Sequence, residues 1–247
     1  LLSAHRDLGN AQHRAEVARL WGVDDVPALP GKTAVEMFEA AAEGQIKALW
    51  ISCTNPAQSL PDQATVRRAL ERAEFVVVQE AFATTATCAY ADLLLPATTW
   101  GEKDGTVTNS ERRISRVRPA VWGPGEARHD WAAATAFAQR LEPRLRPNRP
   151  SLFAYATPES VWNEHRETTR GRDLDITGLS YAQLDDAPQQ WPFPSGAATG
   201  RARLYEDGVF PTEDGRARFA DTRHEKLAEP RDARYPFSLN TGRLRDQ

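Results

Sequence analysis

Five polar side chains stand where their chemistry could hold a ligand: Asn55, Gln79, Glu80, Lys103 and Asp130. Thr54-Asn55 and Gln79-Glu80 each follow an apolar run of strand length, and open α/β sheets bind ligands outside the carboxyl ends of their strands. A carboxylate there can accept hydrogen bonds from two ribose hydroxyls, and an Asn amide can donate and accept toward a phosphate or a heterocycle edge. Each position also has a plainer account. Asn55-Pro56 reads equally as a turn and Glu80 as a solvated carboxylate. Lys103, between Glu102 and Asp104, fits a surface ion pair of little worth or a lysine reaching a phosphate. Asp130, ahead of Trp131-Ala132-Ala133, fits a helix N-cap, and Glu111-Arg112-Arg113 fits a solvated charge cluster. Glycine-rich phosphate loops of the GxGxxG or GxxxxGKS kind are absent. The residues alone support an α/β, nucleotide-like binding edge and nothing sharper.

The elements that must position these groups follow from pattern. Residues 11–20 read as an amphipathic helix, and 34–43 as a second, with Val35, Phe38 and Ala42 on one face and Gly44 as terminator. Ile46–Ser52 is a strand candidate, and Asp62 can cap a helix over Gln63–Ala73. Phe75–Val78 is a second strand. A short Thr/Ala-rich helix near 85–89 leads to a third strand, Leu93–Leu95, stopped by Pro96. Strands alternating with helices at this spacing predict βαβ units in a parallel sheet covered on both faces. Lys103 falls in a polar loop containing Gly105, after which residues 114–118 alternate as a half-buried strand. Asp130 then precedes a helix over Trp131–Leu141. Thr157-Pro158-Glu159 opens a helix to about Arg170. Residues 171–230 predict a loop-rich stretch laid over other surfaces rather than a core. Tyr235 onward reads as a strand running into a turn.

With 247 residues, 40% of them apolar, and a net charge of −3, the chain is expected to be a soluble globular protein. That charge argues against nucleic-acid or membrane-surface partners. No apolar run approaches the roughly 20 residues a membrane-spanning helix needs. The opening Leu1-Leu2-Ser3-Ala4 lacks an initiator Met and a signal-peptide core, so a piece of a longer protein is expected. Cys53 and Cys88 make no disulfide framework, and the five histidines lack HxxxH or HExxH spacing, so no metal site is expected and a reducing compartment is.

Six motifs in order carry a resemblance. They are Thr54-Asn55-Pro56-Ala57-Gln58-Ser59-Leu60-Pro61, Phe75–Glu80, Ala91–Pro96, Glu102–Arg113, Gly125–Trp131 and Thr241–Gln247. Together they resemble the molybdopterin oxidoreductase family, which includes formate dehydrogenases, nitrate reductases and dimethyl sulfoxide reductase. The flanks His5-Arg6-Asp7-Leu8, Leu20–Val23, Gly31–Phe38, Trp162–Glu167, Asp173–Ser180 and Gln189–Pro192 look most like its assimilatory nitrate reductase branch.

The resemblance implies a bis(molybdopterin guanine dinucleotide) cofactor carrying molybdenum, with Asn55, Gln79, Glu80, Lys103 and Asp130 at its nucleotide portions. Thr241, Gly242, Arg243, Leu244, Arg245, Asp246 and Gln247 match the start of a motif contacting the second pterin. It further implies a 4Fe-4S cluster and a molybdenum ligand held by residues outside this chain, since the family's amino-terminal cysteine motif is missing here. Residues 1–145 then belong to an α/β cofactor-binding domain, 146–234 to a helix and loop-rich connection, and 235–247 to the first strand of a further β domain. The expected activity of the whole enzyme is cytoplasmic reduction of nitrate to nitrite, with an electron-donor protein or reductase subunit and the remainder of the polypeptide as partners. The segment alone is expected to be inactive. Formate dehydrogenase, or a non-catalytic fold relative in a respiratory complex, is the alternative. Isolated from its neighbours, the segment is expected to expose a sheet edge and part of an apolar face, an aggregation risk.

Overall fold

The computed structural model describes residues 2–227 and 229–239. Contacts divide the chain into two compact units, Leu1–Leu204 and Tyr205–Gln247. Three parallel strands, β1 (Ala48–Ser52), β2 (Phe75–Glu80) and β3 (Leu93–Pro96), form a sheet in that order. Ser52 is opposite Gln79, and Gln79 is opposite Leu95, so the three carboxyl ends lie side by side.

The flanking helices begin and end where local chemistry dictates. Asn10 accepts from the backbone N–H groups of Gln12 and His13 to start α1 (Ala11–Trp21), and Gly22 ends it with φ +66°. Thr33 and Glu36 form a capping box on α2 (Ala34–Ala42). Pro56–Ser59 makes the short α3, and Asp62 accepts from Thr65 N–H to cap α4 (Gln63–Arg72). The helices α2 and α4 cover one face of the sheet. Phe38, Ala41, Ala42, Val66, Ala69 and Leu70 pack there with Ile51, Val76 and Val78. The opposite face, carrying Trp50 and Val77, meets α5 (Asp130–Leu145), where Phe137 sits edge-on to the Trp50 ring at 5.0 Å. Coverage is uneven. β2 is buried on both faces, but Leu93 and Leu94 in β3 are each 43% exposed. Among the described residues, the outer side of β3 is met only by the bridge that Ala97 makes to Arg128, so its edge and part of an apolar face stay open.

The chain then turns into a second sheet. Gly105–Thr108 forms β4, antiparallel to β5 (Arg113–Val117), and β6 (Gln189–Gln190) pairs on β5's other side. From the sequence, β4 reads as loop, because Gly-Thr-Val-Thr offers one apolar residue and no clear alternation; pairing with β5 makes it a strand. Residues 171–230 are loop-rich, with only the helix Tyr181–Asp186 and β6 among the described residues, yet part of the stretch also enters a core. Thr157 caps α6 (Pro158–Thr168), Ser180 caps α7 (Tyr181–Asp186), and Ile114, Trp162, Ile176, Leu179, Tyr181, Leu184 and Phe193 close a core of their own. Of these, Ile176, Leu179, Tyr181, Leu184 and Phe193 lie among Gly, Pro and Asp with no clear periodicity, yet the turns bring them together with Ile114 and Trp162. Gly178 is required where the backbone meets Phe193 and Pro194: its N–H donates to the Phe193 carbonyl, and a Cβ would collide with Pro194 O.

In the second unit, Tyr205 and Phe210 stack with ring centroids 4.6 Å apart. Residues 235–239, expected as a strand, pair with no other segment among the described residues and so have none of the ladder hydrogen bonds a strand needs. Residues 240–247, which include Thr241 to Gln247, lie outside the described residues. Among the described residues, no helix is long and apolar enough to cross a membrane.

Candidate cofactor-binding site

The carboxyl ends of the strands open into a cleft of about 390 Å³ lined by Cys53, Gln79, Glu80, Phe82, Thr98, Trp100, Lys103 and Asp130 among others. Four of the five residues singled out from sequence therefore share one cleft. Asp130 reaches it because Thr98 N–H donates to the Arg128 carbonyl and Arg128 N–H to that of Pro96, each at 3.0 Å. That bridge lays the start of α5 alongside the end of β3.

Asp130 is not an N-cap. His129 occupies the cap position without a side-chain bond, and Asp130 is the first helical residue. Its carboxylate instead faces the cleft. Oδ1 accepts from Gln79 Nε2 at 2.8 Å and from the Cys53 thiol at 3.5 Å, and Oδ2 accepts from Lys103 Nζ at 2.6 Å. Burial pushes the Asp130 carboxyl upward, but hydrogen bonds from Lys103 and Gln79 and the Lys103 charge outweigh it and hold the group below the usual carboxylate range. It is an anion at neutral pH, at the amino end of a 16-residue helix whose dipole favours that charge.

Lys103 pairs with neither sequence neighbour. Glu102 accepts from Thr99 N–H at 2.7 Å to cap the short turn Trp100–Glu102, and Asp104 pairs with Arg116 at 2.5 Å. The local ion pair read as the plainer account is thus not formed. The backbone at Lys103 is extended, φ −100° and ψ 150°, so its side chain and that of Asp104 project to opposite sides. The ammonium also lies 5.8 Å from the Trp100 ring centroid.

Gln79, 3% exposed, is oriented from behind, since Trp50 Nε1–H donates to its Oε1 at 3.2 Å. Its amide group therefore points at Asp130. Glu80 Oε1 accepts from Ala81 N–H at 2.8 Å, bending the chain out of β2 while the carboxylate lines the cleft. Asn55 stands apart. Its carbonyl oxygen accepts from Thr87 N–H (3.1 Å) and Thr87 Oγ1–H (2.6 Å), and its amide donates to Gln58 at 3.0 Å. Here it ties the exit of β1 to the turn after β2. Arg112, from the Glu111-Arg112-Arg113 cluster, is no solvated charge. It lies 5.2 Å from the Trp191 ring centroid and donates to the backbone carbonyls of Trp191, Arg201 and Ala202.

Sequence reasoning passed over two cleft residues. Cys53 adopts φ +59° beside Asp130. Thr98 is 3% exposed, and its Oγ1 is buried with no partner among the described residues. Neither carries a signal in its type or spacing. Among the described residues, no cluster of three or more His, Cys, Asp or Glu could hold a metal ion.

Comparison with known proteins supplies what geometry does not. The chain is 40% identical to a nitrate reductase of Synechocystis sp. over 99% of its length, and 36% identical to the assimilatory nitrate reductase catalytic subunit of Bacillus subtilis over 98%. It is 37% identical to the F420-dependent formate dehydrogenase subunit alpha of Methanocaldococcus jannaschii over 87%. It spans about a third of the length of these curated relatives: 34%, 34% and 30%. The fold matches acetylene hydratase from Pelobacter acetylenicus with a TM-score of 0.56 at 18% identity, over 82% of this chain and 26% of that one. A family model described as Molybdopterin oxidoreductase matches residues 3–140, more than half of the sequence. The chain belongs to the molybdopterin oxidoreductase family.

Proposed function

We propose that this chain is the part of a molybdenum-dependent nitrate reductase that holds nucleotide portions of a bis(molybdopterin guanine dinucleotide) cofactor. The observation that carries this reading is the fixed carboxylate of Asp130, held by Gln79 and Lys103 at the carboxyl ends of three parallel strands. A guanine edge presents two adjacent donors, the ring N1–H and the exocyclic amine, and an ionised carboxylate accepts both. Lys103 supplies a cation for a phosphate, Glu80 an acceptor for ribose hydroxyls, and the buried Thr98 hydroxyl, without a partner among the described residues, lies in the same cleft. The donor set fits a guanine nucleotide. Asn55 braces the strand exit beneath it.

The chemistry supplied with such a cofactor is two-electron reduction of nitrate to nitrite, the oxygen leaving as water with two protons taken up. The chain's own residues bind and orient. In the reading proposed, residues 1–145 form part of the α/β cofactor domain, 146–234 connect it onward, and 235–247 begin a further β domain. Thr241 to Gln247 then contact the second pterin. The molybdenum ligand and the 4Fe-4S cluster belong to the rest of the polypeptide, so the segment alone is inactive. We place the enzyme in the cytoplasm with an electron-donor protein or reductase subunit as partner, in keeping with the assimilatory relatives.

Formate oxidation by the same class of cofactor is the second reading, favoured by the formate dehydrogenase relative at 37% identity. The test is to express the full-length polypeptide and measure molybdenum, iron, and turnover of nitrate with a reduced viologen and of formate with an oxidised one. Molybdenum with nitrate reduction is expected. Metal-free protein would overturn the proposal, and molybdenum with formate turnover alone would replace it with the second reading.

A further inference from the structure

Lys103 projects into the cleft from a segment of extended backbone, and something outside the cleft must hold that segment still. Its amino side is fixed by the Thr99–Glu102 capping box. Its carboxyl side is fixed by Arg116, which lies on β5 and does not line the cleft. Arg116 Nη1 donates to Asp104 Oδ1 at 2.5 Å, to the Gly105 carbonyl at 2.8 Å and to the Val117 carbonyl at 3.0 Å. Its guanidinium carbon sits 3.8 Å from the Tyr181 ring centroid, and Nε lies 3.2 Å from Asp185 Oδ1, an ion contact without hydrogen-bond geometry. Tyr181 and Asp185 both belong to α7. The Arg116 side chain is 11% exposed.

We propose that Arg116 is a positioning residue for cofactor binding: clamped by Asp104, Asp185 and the Tyr181 ring, it transmits the rigidity of the α6–α7 core to the backbone on which Lys103 stands. This rests on the proposed cofactor role of Lys103 and Asp130. A lysine side chain has several freely rotating bonds, so the placement of its ammonium depends on its Cα being fixed. Asp104 is the adjacent residue, and its carboxylate is the only side chain next to Lys103 tied to the second sheet. Guanidinium geometry suits the task, because one planar group serves two carboxylates and an aromatic face at once. A loop pinned on both flanks can present Lys103 without the ordering cost that a mobile loop would incur on binding. The core of residues 176–193 thereby gains a function: it is the abutment for the Lys103 arm.

The test uses the full-length enzyme and reads cofactor retention, as GMP released by acid hydrolysis per polypeptide, together with thermal unfolding. Asp104→Ala and Arg116→Gln are expected to lower cofactor affinity by about tenfold, and Arg116→Lys to restore part of it, since an ammonium can still reach Asp104. Val17→Ala, in a separate cluster, is the control: it lowers Tm and leaves retention unchanged. Retention at the wild-type level in Asp104→Ala and Arg116→Gln, with Lys103→Ala and Asp130→Ala depleted, would overturn the positioning role and leave the cofactor reading standing. Full retention in Lys103→Ala and Asp130→Ala would overturn the cofactor reading and this inference with it. Should Arg116→Gln fail to fold, Asp104→Ala, at a half-exposed position, decides alone.

Discussion

The amide of Gln79 and the carboxylate of Asp130 meet at 2.8 Å, joining the end of the central strand to the first turn of α5 across 51 residues of sequence. Because Trp50 Nε1–H holds the other side of the Gln79 amide, the carboxylate faces a donor that cannot rotate away. A strand end and a helix start are thus locked into one hydrogen-bonded chain from Trp50 through Gln79 and Asp130 to Lys103.

That chain makes Gln79 sensitive to charge. Gln79→Glu replaces the Nε2–H donor with an oxygen acceptor facing Asp130, so two carboxylates compete for Lys103. Hydrogen bonds to charged groups are worth about 1.5–3 kcal/mol, so cofactor affinity is expected to fall at least tenfold. Molybdenum per polypeptide in the purified full-length variant checks this, and unchanged content would show that Asp130 does not depend on Gln79.

Asn55 should behave differently from the cleft residues. Its oxygen serves Thr87, which is fully buried, so Asn55→Ala strands a buried hydroxyl and N–H at a cost of about 1–3 kcal/mol. The expected outcome is a lowered Tm, with cofactor content that follows stability and recovers on cooling. Content lost at a temperature where the variant is fully folded would instead make Asn55 a direct contact.

Asp175 is expected to contribute to acid stability. Burial pushes its carboxyl up, but hydrogen bonds from Thr177 and from Gly171 N–H prevail and hold it below the usual range. With the folded pKa below the unfolded value of about 4, its contribution is complete above that pH and is lost as pH falls through the folded value. Asp175→Asn is therefore expected to lower stability at neutral pH and to flatten the decline below about pH 4. Tm measured by circular dichroism from pH 2 to 7 tests the sign; a parallel decline in both proteins would show that other carboxylates dominate.

The core beside β5 should count as core. Leu179 is fully buried among Trp162, Tyr181 and Phe193, and Leu179→Ala is expected to cost about 2–5 kcal/mol. Urea unfolding measures it. A change under about 0.5 kcal/mol would return residues 171–193 to the loop-rich account.

What the sequence determined by itself is the part built from near neighbours. Asn10, Thr33, Asp62 and Thr157 each cap a helix within three residues, and the apolar runs 75–78 and 93–95 predicted parallel strands that the structure contains. Motifs in order also carried the family resemblance, since each is a run of neighbouring residues legible without the fold. Tertiary structure alone decided which partner each charge takes. Lys103 has carboxylates on both sides in sequence and pairs with one 27 residues away, since extended backbone turns adjacent side chains apart and the bridge between Ala97 and Arg128 brings Asp130 within reach. The same limit hid β4 and the core of residues 176–193. A short strand exists only through its partner's hydrogen bonds, and apolar residues scattered among turns become a core only when distant segments close over them.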